Sequence, residues 1–168
     1  MTNEEWATST NAPAMLEALR TQETVFFQTL TSTLHRYFIA CSWKIKHLIP
    51  QKGLRNGLRG TEQWADGLLT DEELYKLDWY AEADCFTFDF LDEDYNLKEA
   101  KELIASIEQL KALTFDEAVA LLSEAAYFAE GTLIYPKMKR APYFKRMFTS
   151  QFLCPDLLRE FIDPPFSK

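Results

Sequence analysis

The sequence predicts an all-α fold, a single-domain irregular helical bundle of six to eight helices over 168 residues. Three observations carry that prediction. Nearly every long segment spaces its apolar residues three and four apart, which lines one face of a helix. Two capping boxes, Thr70-Asp71-Glu72-Glu73 and Thr114-Phe115-Asp116-Glu117, mark helix starts. The one stretch with strand-like alternation, Phe86-Thr87-Phe88-Asp89-Phe90, has no second such run to pair with and reads as a helix end.

In chain order, Asn11 with Pro13 opens a helix whose core side holds Met15, Leu16 and Leu19. A longer helix over residues 22–49 presents Phe26, Leu30, Leu34, Tyr37/Phe38, Cys41, Ile45 and Leu48, and Pro50 ends it. The hydroxyl run Thr31-Ser32-Thr33 offers a break within it. Residues 52–66 form a weaker helix with Leu54, Leu58, Trp64 and Ala65 on its apolar side. Gly57 and Gly60 inside it each cost about 1 kcal/mol relative to Ala, so this helix leans on its neighbours.

Gly67 reads as a C-terminal cap. The helix opened at Thr70 carries Leu74, Leu77, Ala81 and Phe88 toward the core, and one preceded by Asn96 carries Leu97, Ala100, Ile104, Ile107 and Leu110. The Thr114 box opens a helix with Val119, Leu122, Ala126 and Ala129 that stops at Gly131. Residues 132–142 are irregular, broken by Pro136 and Pro142. A short helix over 143–150 follows, and a last one over 155–162 ends before Asp163-Pro164-Pro165.

Charge is laid out in blocks. Residues 35–60 hold Arg36, Lys44, Lys46, Lys52, Arg55 and Arg59 and no carboxylate; residues 61–131 hold nineteen Asp/Glu against four Lys. Residues 137–148 turn basic again with Lys137, Lys139, Arg140, Lys145 and Arg146. Such an arrangement neutralises itself on folding or presents faces of opposite sign to partners. The net charge of −8 disfavours nucleic acid or anionic lipid as a partner of the whole surface.

Three widely spaced cysteines, Cys41, Cys85 and Cys154, fit reduced thiols in a cytoplasmic protein. The opening residues lack a basic and then apolar signal, and no apolar run approaches 18 residues, so neither a signal peptide nor a membrane span is expected.

The catalytic patterns fail one by one. Cys41 and His47 lie six residues apart and point in different directions on a helix. His35 lies about 18 Å from His47 by helical rise, too far to share a metal. An EF-hand reading of Asp92, Asp94 and Asn96 puts Leu97 where Gly is needed and Leu103 where Glu is needed. Neither histidine has a Glu three residues before it, as a di-iron bundle requires. No phosphate-cradling loop, nucleophile elbow or zinc-protease motif occurs. No cofactor or metal is expected.

Three stretches carry a resemblance. They are Trp6, Pro13, Met15, Leu16 and Leu19; Tyr37-Phe38-Ile39-Ala40-Cys41-Ser42-Trp43-Lys44-Ile45-Lys46-His47-Leu48, continuing into Trp64-Ala65-Asp66-Gly67-Leu68 and Glu73-Leu74; and Leu157-Leu158-Arg159-Glu160-Phe161 with Pro165-Phe166. In these the chain resembles a functionally uncharacterised all-helical family abundant in planctomycete bacteria. It departs from that family's pattern at Ser42, where the family has a second Cys, at Trp43, where it has a basic residue, and in the acidic stretch over residues 70–130. The resemblance implies an all-α fold and carries no activity with it.

The expected function is a non-enzymatic helical module that binds another protein or itself. Trp43, Lys44, Lys46, Lys52, Arg55 and Arg59 form its expected basic face, and Asp89, Asp92, Glu93 and Asp94 its acidic one. Lys137, Lys139, Arg140, Lys145 and Arg146, interleaved with aromatics, are candidates for anion binding. An inhibitor or immunity-type protein masking a basic partner is a variant of this reading. The alternative is a small-ligand or enzyme pocket between helices using Cys41, His47 and aromatic side chains.

Overall fold

The computed structural model describes residues 1–21, 31–91, 96–138 and 147–164, excepting the side chains of residues 31 and 134–138. Among these residues there are eight α-helices, two 3-10 turns and no strand. The helices are α1 (Asn3–Thr8), α2 (Ala12–Thr21), α3 (Thr31–Lys44), α4 (Lys52–Ala65), α5 (Asp71–Cys85), α6 (Asn96–Ser106), α7 (Phe115–Met138) and α8 (Pro155–Phe161). The 3-10 turns are Lys46–Leu48 and Glu108–Leu110. The fold is an all-α bundle.

The caps are where the sequence puts them. Asn11 Oδ1 accepts the Ala14 N–H at 3.0 Å ahead of α2. Thr70 Oγ1 accepts from Glu73 N–H while Glu73 Oε2 accepts from Thr70 N–H, and Thr114 with Glu117 repeats the arrangement. Hydrogen bonds from the threonines hold both glutamates below the usual carboxylate range. Gly67, at φ +75°, turns the chain out of α4 in the left-handed conformation that glycine adopts freely. A third box, Thr2 with Glu5, opens α1, a helix that the periodicity of so short a segment does not reveal.

Three elements differ from expectation; one is α6, which ends at Ser106 and leaves Ile107 and Leu110 to the Glu108–Leu110 turn and its cap. The described part of the long second helix stops at Lys44 and tightens into the Lys46–Leu48 turn; residues 22–30 lie outside the described residues. Arg55 holds that turn, donating through Nε to Ile49 O at 2.5 Å and through Nη2 to Lys46 O at 3.0 Å. The seventh helix runs through Gly131 and Pro136 to Met138 instead of stopping at Gly131. Proline has no N–H to give the carbonyl four residues back. That carbonyl, on Thr132, instead accepts from His35 Nε2 on α3 at 2.8 Å. The expected helix over residues 143–150 lies mostly outside the described residues.

The glycines of α4 reverse their sequence-level accounting. A Cβ at Gly57 would stand 2.2 Å from Leu133 Cδ2, one at Gly60 2.3 Å from Leu77 Cδ1, and one at Gly53 2.9 Å from the Tyr80 carbonyl oxygen. The positions that weaken α4 in isolation let α5 and α7 approach its backbone.

Two core clusters result. One gathers Trp6, Met15, Leu16 and Leu19 from α1 and α2 around Leu34, Tyr37, Phe38 and Cys41 of α3 and Leu158 of α8. The other gathers Leu54 and Leu58 of α4, Ala81 and Cys85 of α5, and the Leu122, Ala125, Ala129 and Leu133 row of α7. Ile45 and Phe152 pack on both clusters.

Candidate functional site

On α5, Leu74, Asp78, Ala81 and Cys85 turn inward. The remaining faces are unusually aromatic for a surface. Tyr75, Trp79, Glu82 and Phe86 recur at steps of four, three and four, so they fall within about 60° of one another around the helix. Trp79 is 64% exposed and Phe90, just past the helix, 73% exposed; Tyr75, Tyr80, Phe86 and Tyr127 are exposed as well.

Ring contacts tie this surface to α7. Phe86 meets Tyr127 edge to face with centroids 5.8 Å apart, and meets Phe90 at 6.3 Å; Trp79 and Tyr80 pair at 5.6 Å. Aromatic pairs of this geometry present ring faces, which are electron-rich, to whatever approaches.

Carboxylates border the rings. Asp89 accepts hydrogen bonds from Ser123 Oγ and Tyr127 OH, fixing the turn after α5 against α7. That bond raises the Tyr127 phenol to about 12. The Glu82 and Glu130 carboxyls make no hydrogen bond or ion pair among the described residues. Burial, assisted by the charge of Glu82, pushes Glu130 up to about 7. Cys85 sits among them; burial, then Glu130, Asp89, Glu82 and Asp84, push its thiol up to about 12. Beside Tyr127 and Glu130 opens a cleft of about 510 Å³ whose walls include Glu124, Phe128, Ser150 and Phe152.

The residues of the expected basic face each have their own surroundings. Trp43, half-buried, lines a groove of about 450 Å³ between α3 and α8 with Arg36, Lys44, Leu157 and Phe161. Lys44 Nζ lies 3.3 Å from Cys154 Sγ. Arg36 caps the end of α4, donating to Ala65 O and to Asp66 Oδ1, both at 2.7 Å. Arg55 holds the 3-10 turn, as above. Lys52 borders a different groove with Tyr80 and Asp84, and Lys46 and Arg59 are exposed. The cations thus serve two grooves and two helix ends.

Asp89 is engaged with α7, while Asp92, Glu93 and Asp94 lie outside the described residues. So do Lys139, Arg140, Lys145, Arg146 and the Lys137 side chain. The Cys41–His47 pairing does not form. Cys41 is buried beside Tyr37 and Cys154, its thiol raised to about 11 chiefly by burial, whereas exposed His47 bonds Gln109 Oε1 at 2.8 Å. No group of three His, Cys, Asp or Glu among the described residues is placed to hold a metal ion, and no described helix is long and apolar enough to cross a membrane.

The aromatic surface of α5 is the feature that the sequence reading missed. Its signal was available: once Leu74, Ala81 and Cys85 are assigned to the core, Tyr75, Trp79 and Phe86 cannot face it too.

The chain was compared with family models, with curated proteins and with solved structures, and no match was found in any of the three. The class defined by the coordinates is therefore that of the fold, an all-α bundle with an exposed aromatic surface.

Proposed function

We propose that this protein is a non-enzymatic, cytoplasmic interaction module that works by binding another protein through the α5–α7 surface. The observation that carries the reading is the exposed aromatic group Phe86, Phe90 and Tyr127, in ring contact, with exposed Trp79 on the same stripe of α5. Single exposed apolar residues are ordinary on a protein surface, but a contiguous aromatic set marks an interaction site. Tyr and Trp are the residue types that supply most of the affinity in interfaces. Three free thiols, two of them buried, support a reducing compartment.

The test is affinity capture from the native host's lysate with wild type and with Trp79→Ala/Phe90→Ala. A stoichiometric protein retained by the wild type and lost by the variant supports the module. Equal retention removes this surface from the reading, and no retained protein defeats the reading itself.

The cleft beside Glu130 favours a second reading, a small-ligand site between α7 and the 147–152 turn. A thermal-shift screen decides it. A ligand that raises Tm for wild type and not for Glu130→Gln supports a site there, and a flat screen rejects it.

A further inference from the structure

We infer that the α5–α7 surface docks a Lys/Arg-rich segment of a partner protein, its cations seated over the Phe86, Phe90 and Tyr127 rings and against Glu82 and Glu130. This inference rests on the interaction-module reading and specifies the chemistry of the partner.

Most carboxylates of this surface are already engaged. Helix α5 carries six acids and one Lys. Asp71 accepts from the Trp64 indole, Glu72 pairs with Lys76, Glu73 closes its capping box, and Asp84 accepts the Gly53 N–H at 2.6 Å. Asp78 is buried, and Asp89 just beyond the helix is held by Ser123 and Tyr127. Among the described residues that leaves the side chains of Glu82, on the same helical stripe as Trp79 and Phe86, and Glu130, one turn along α7 from Tyr127. The charge of Glu82 acts on the Glu130 carboxyl, and no described cation pairs with either.

An apolar partner would bury that repulsion and strip water from both carboxylates, a cost without return. A guanidinium or ammonium group relieves it. The same cation is attracted to the faces of the rings alongside, so carboxylates and aromatics select for one chemistry together. Arginine satisfies both best, since its planar group stacks on a ring while donating to a carboxylate. The net charge of −8 adds long-range attraction for a basic partner and repels an anionic membrane or a nucleic acid.

The experiment uses the whole chain and nona-arginine as probe, with nona-glutamate as control, read by calorimetric titration at low and at physiological salt. Glu82→Gln/Glu130→Gln and, at unchanged net charge, Phe86→Ala/Phe90→Ala are each expected to weaken nona-arginine binding about tenfold. Glu99→Gln/Glu102→Gln, which removes the same charge from α6, is expected to change it by less than about twofold. Phe90→Ala alone, at a largely exposed position, reports on the rings if the double variant loses its fold by circular dichroism.

Equal affinity across all variants, or equal loss from the α6 and the Glu82/Glu130 pairs, overturns the inference, because attraction by net charge alone would then explain binding. The lysate capture separates this failure from that of the module reading. A partner held equally by wild type and Phe86→Ala/Phe90→Ala leaves the module standing and overturns the basic-segment inference. Site-dependent nona-arginine binding with no captured partner leaves the chemistry of the face standing and defeats the module.

Discussion

His35 Nε2 lies 2.8 Å from the Thr132 carbonyl oxygen, the carbonyl of α7 that Pro136 leaves without a helical donor. One residue of α3 thus repairs a break that proline makes in another helix, which is why α7 continues to Met138. Burial keeps that histidine neutral, lowering it to about 4 from an ordinary 6.5. The unfolded chain takes up the proton first as pH falls, so the contribution of this histidine to stability drops between about 6.5 and 4 and is level above.

His35→Ala is expected to cost about 1–3 kcal/mol at pH 7, the penalty of a buried carbonyl without a donor. His35→Gln retains a donor and removes the acid-side loss. Urea midpoints at pH 7 and pH 4.5 check both. An equal acid-side drop in wild type and His35→Gln would show that His35 is not the titrating group.

Glu130 pulls the other way. Its carboxyl is raised to about 7 by burial and by Glu82, with Tyr127 and Cys85 also facing it. The native state therefore holds the proton more tightly than the unfolded chain. Its contribution is present below about 4.5 and is lost as pH rises through about 7. Glu130→Gln is expected to flatten the decline of the urea midpoint between pH 5 and pH 8; a decline of undiminished slope would contradict the assignment.

The glycines separate close approach from mere flexibility. At Gly53 an added Cβ meets the Tyr80 backbone oxygen at 2.9 Å, whereas at Gly131 its nearest neighbour is Met147 Sδ at an ordinary 3.6 Å. Gly53→Ala is expected to destabilise by about 1–3 kcal/mol through overpacking. Gly131→Ala is expected to stabilise by about 1 kcal/mol, because an interior helix position gains from alanine and nothing resists it. Thermal unfolding of the two variants, with shifts of opposite sign, is the check.

Thiol reactivity should follow burial and charge. Cys41 and Cys85 are buried and raised to about 11 and 12, whereas Cys154 is half-buried with the Lys44 ammonium 3.3 Å from its sulfur. Mass spectrometry after brief iodoacetamide treatment at pH 7.5 is expected to find Cys154 labelled first, and all three labelled in urea. Earlier modification of Cys85 would contradict the acidic, occluded surroundings assigned to it.

Local signals made most of the fold legible: the Thr70 and Thr114 boxes, Gly67 and the leucine rows each act within a few residues. What escaped the sequence depended on distant partners. The run of α7 through Pro136 needs His35, ninety-seven positions from its acceptor. The value of Gly53, Gly57 and Gly60 needs helices that pack on them. The engagement of Arg55 escaped for the same reason, since it finds backbone carbonyls that sequence spacing does not reveal. Of the acidic face only Asp89 is described, and this exposed carboxylate is held by Ser123 and Tyr127.

Arg159 donates to Trp6 O at 3.2 Å and to Ser9 O at 2.8 Å, spanning 153 and 150 positions of chain. During synthesis, the apolar sides of α1 and α2 are made long before α8, which completes the cover that α3 begins. At about 5–20 residues per second, Trp6, Met15 and Leu16 wait on the order of ten seconds for Leu158 and Ile162. The second core closes over a shorter span of chain, from Leu48 to Leu133. A nascent chain of this protein therefore carries α1 and α2 incompletely covered until α8 is made, which makes these two helices the natural target of a ribosome-associated chaperone.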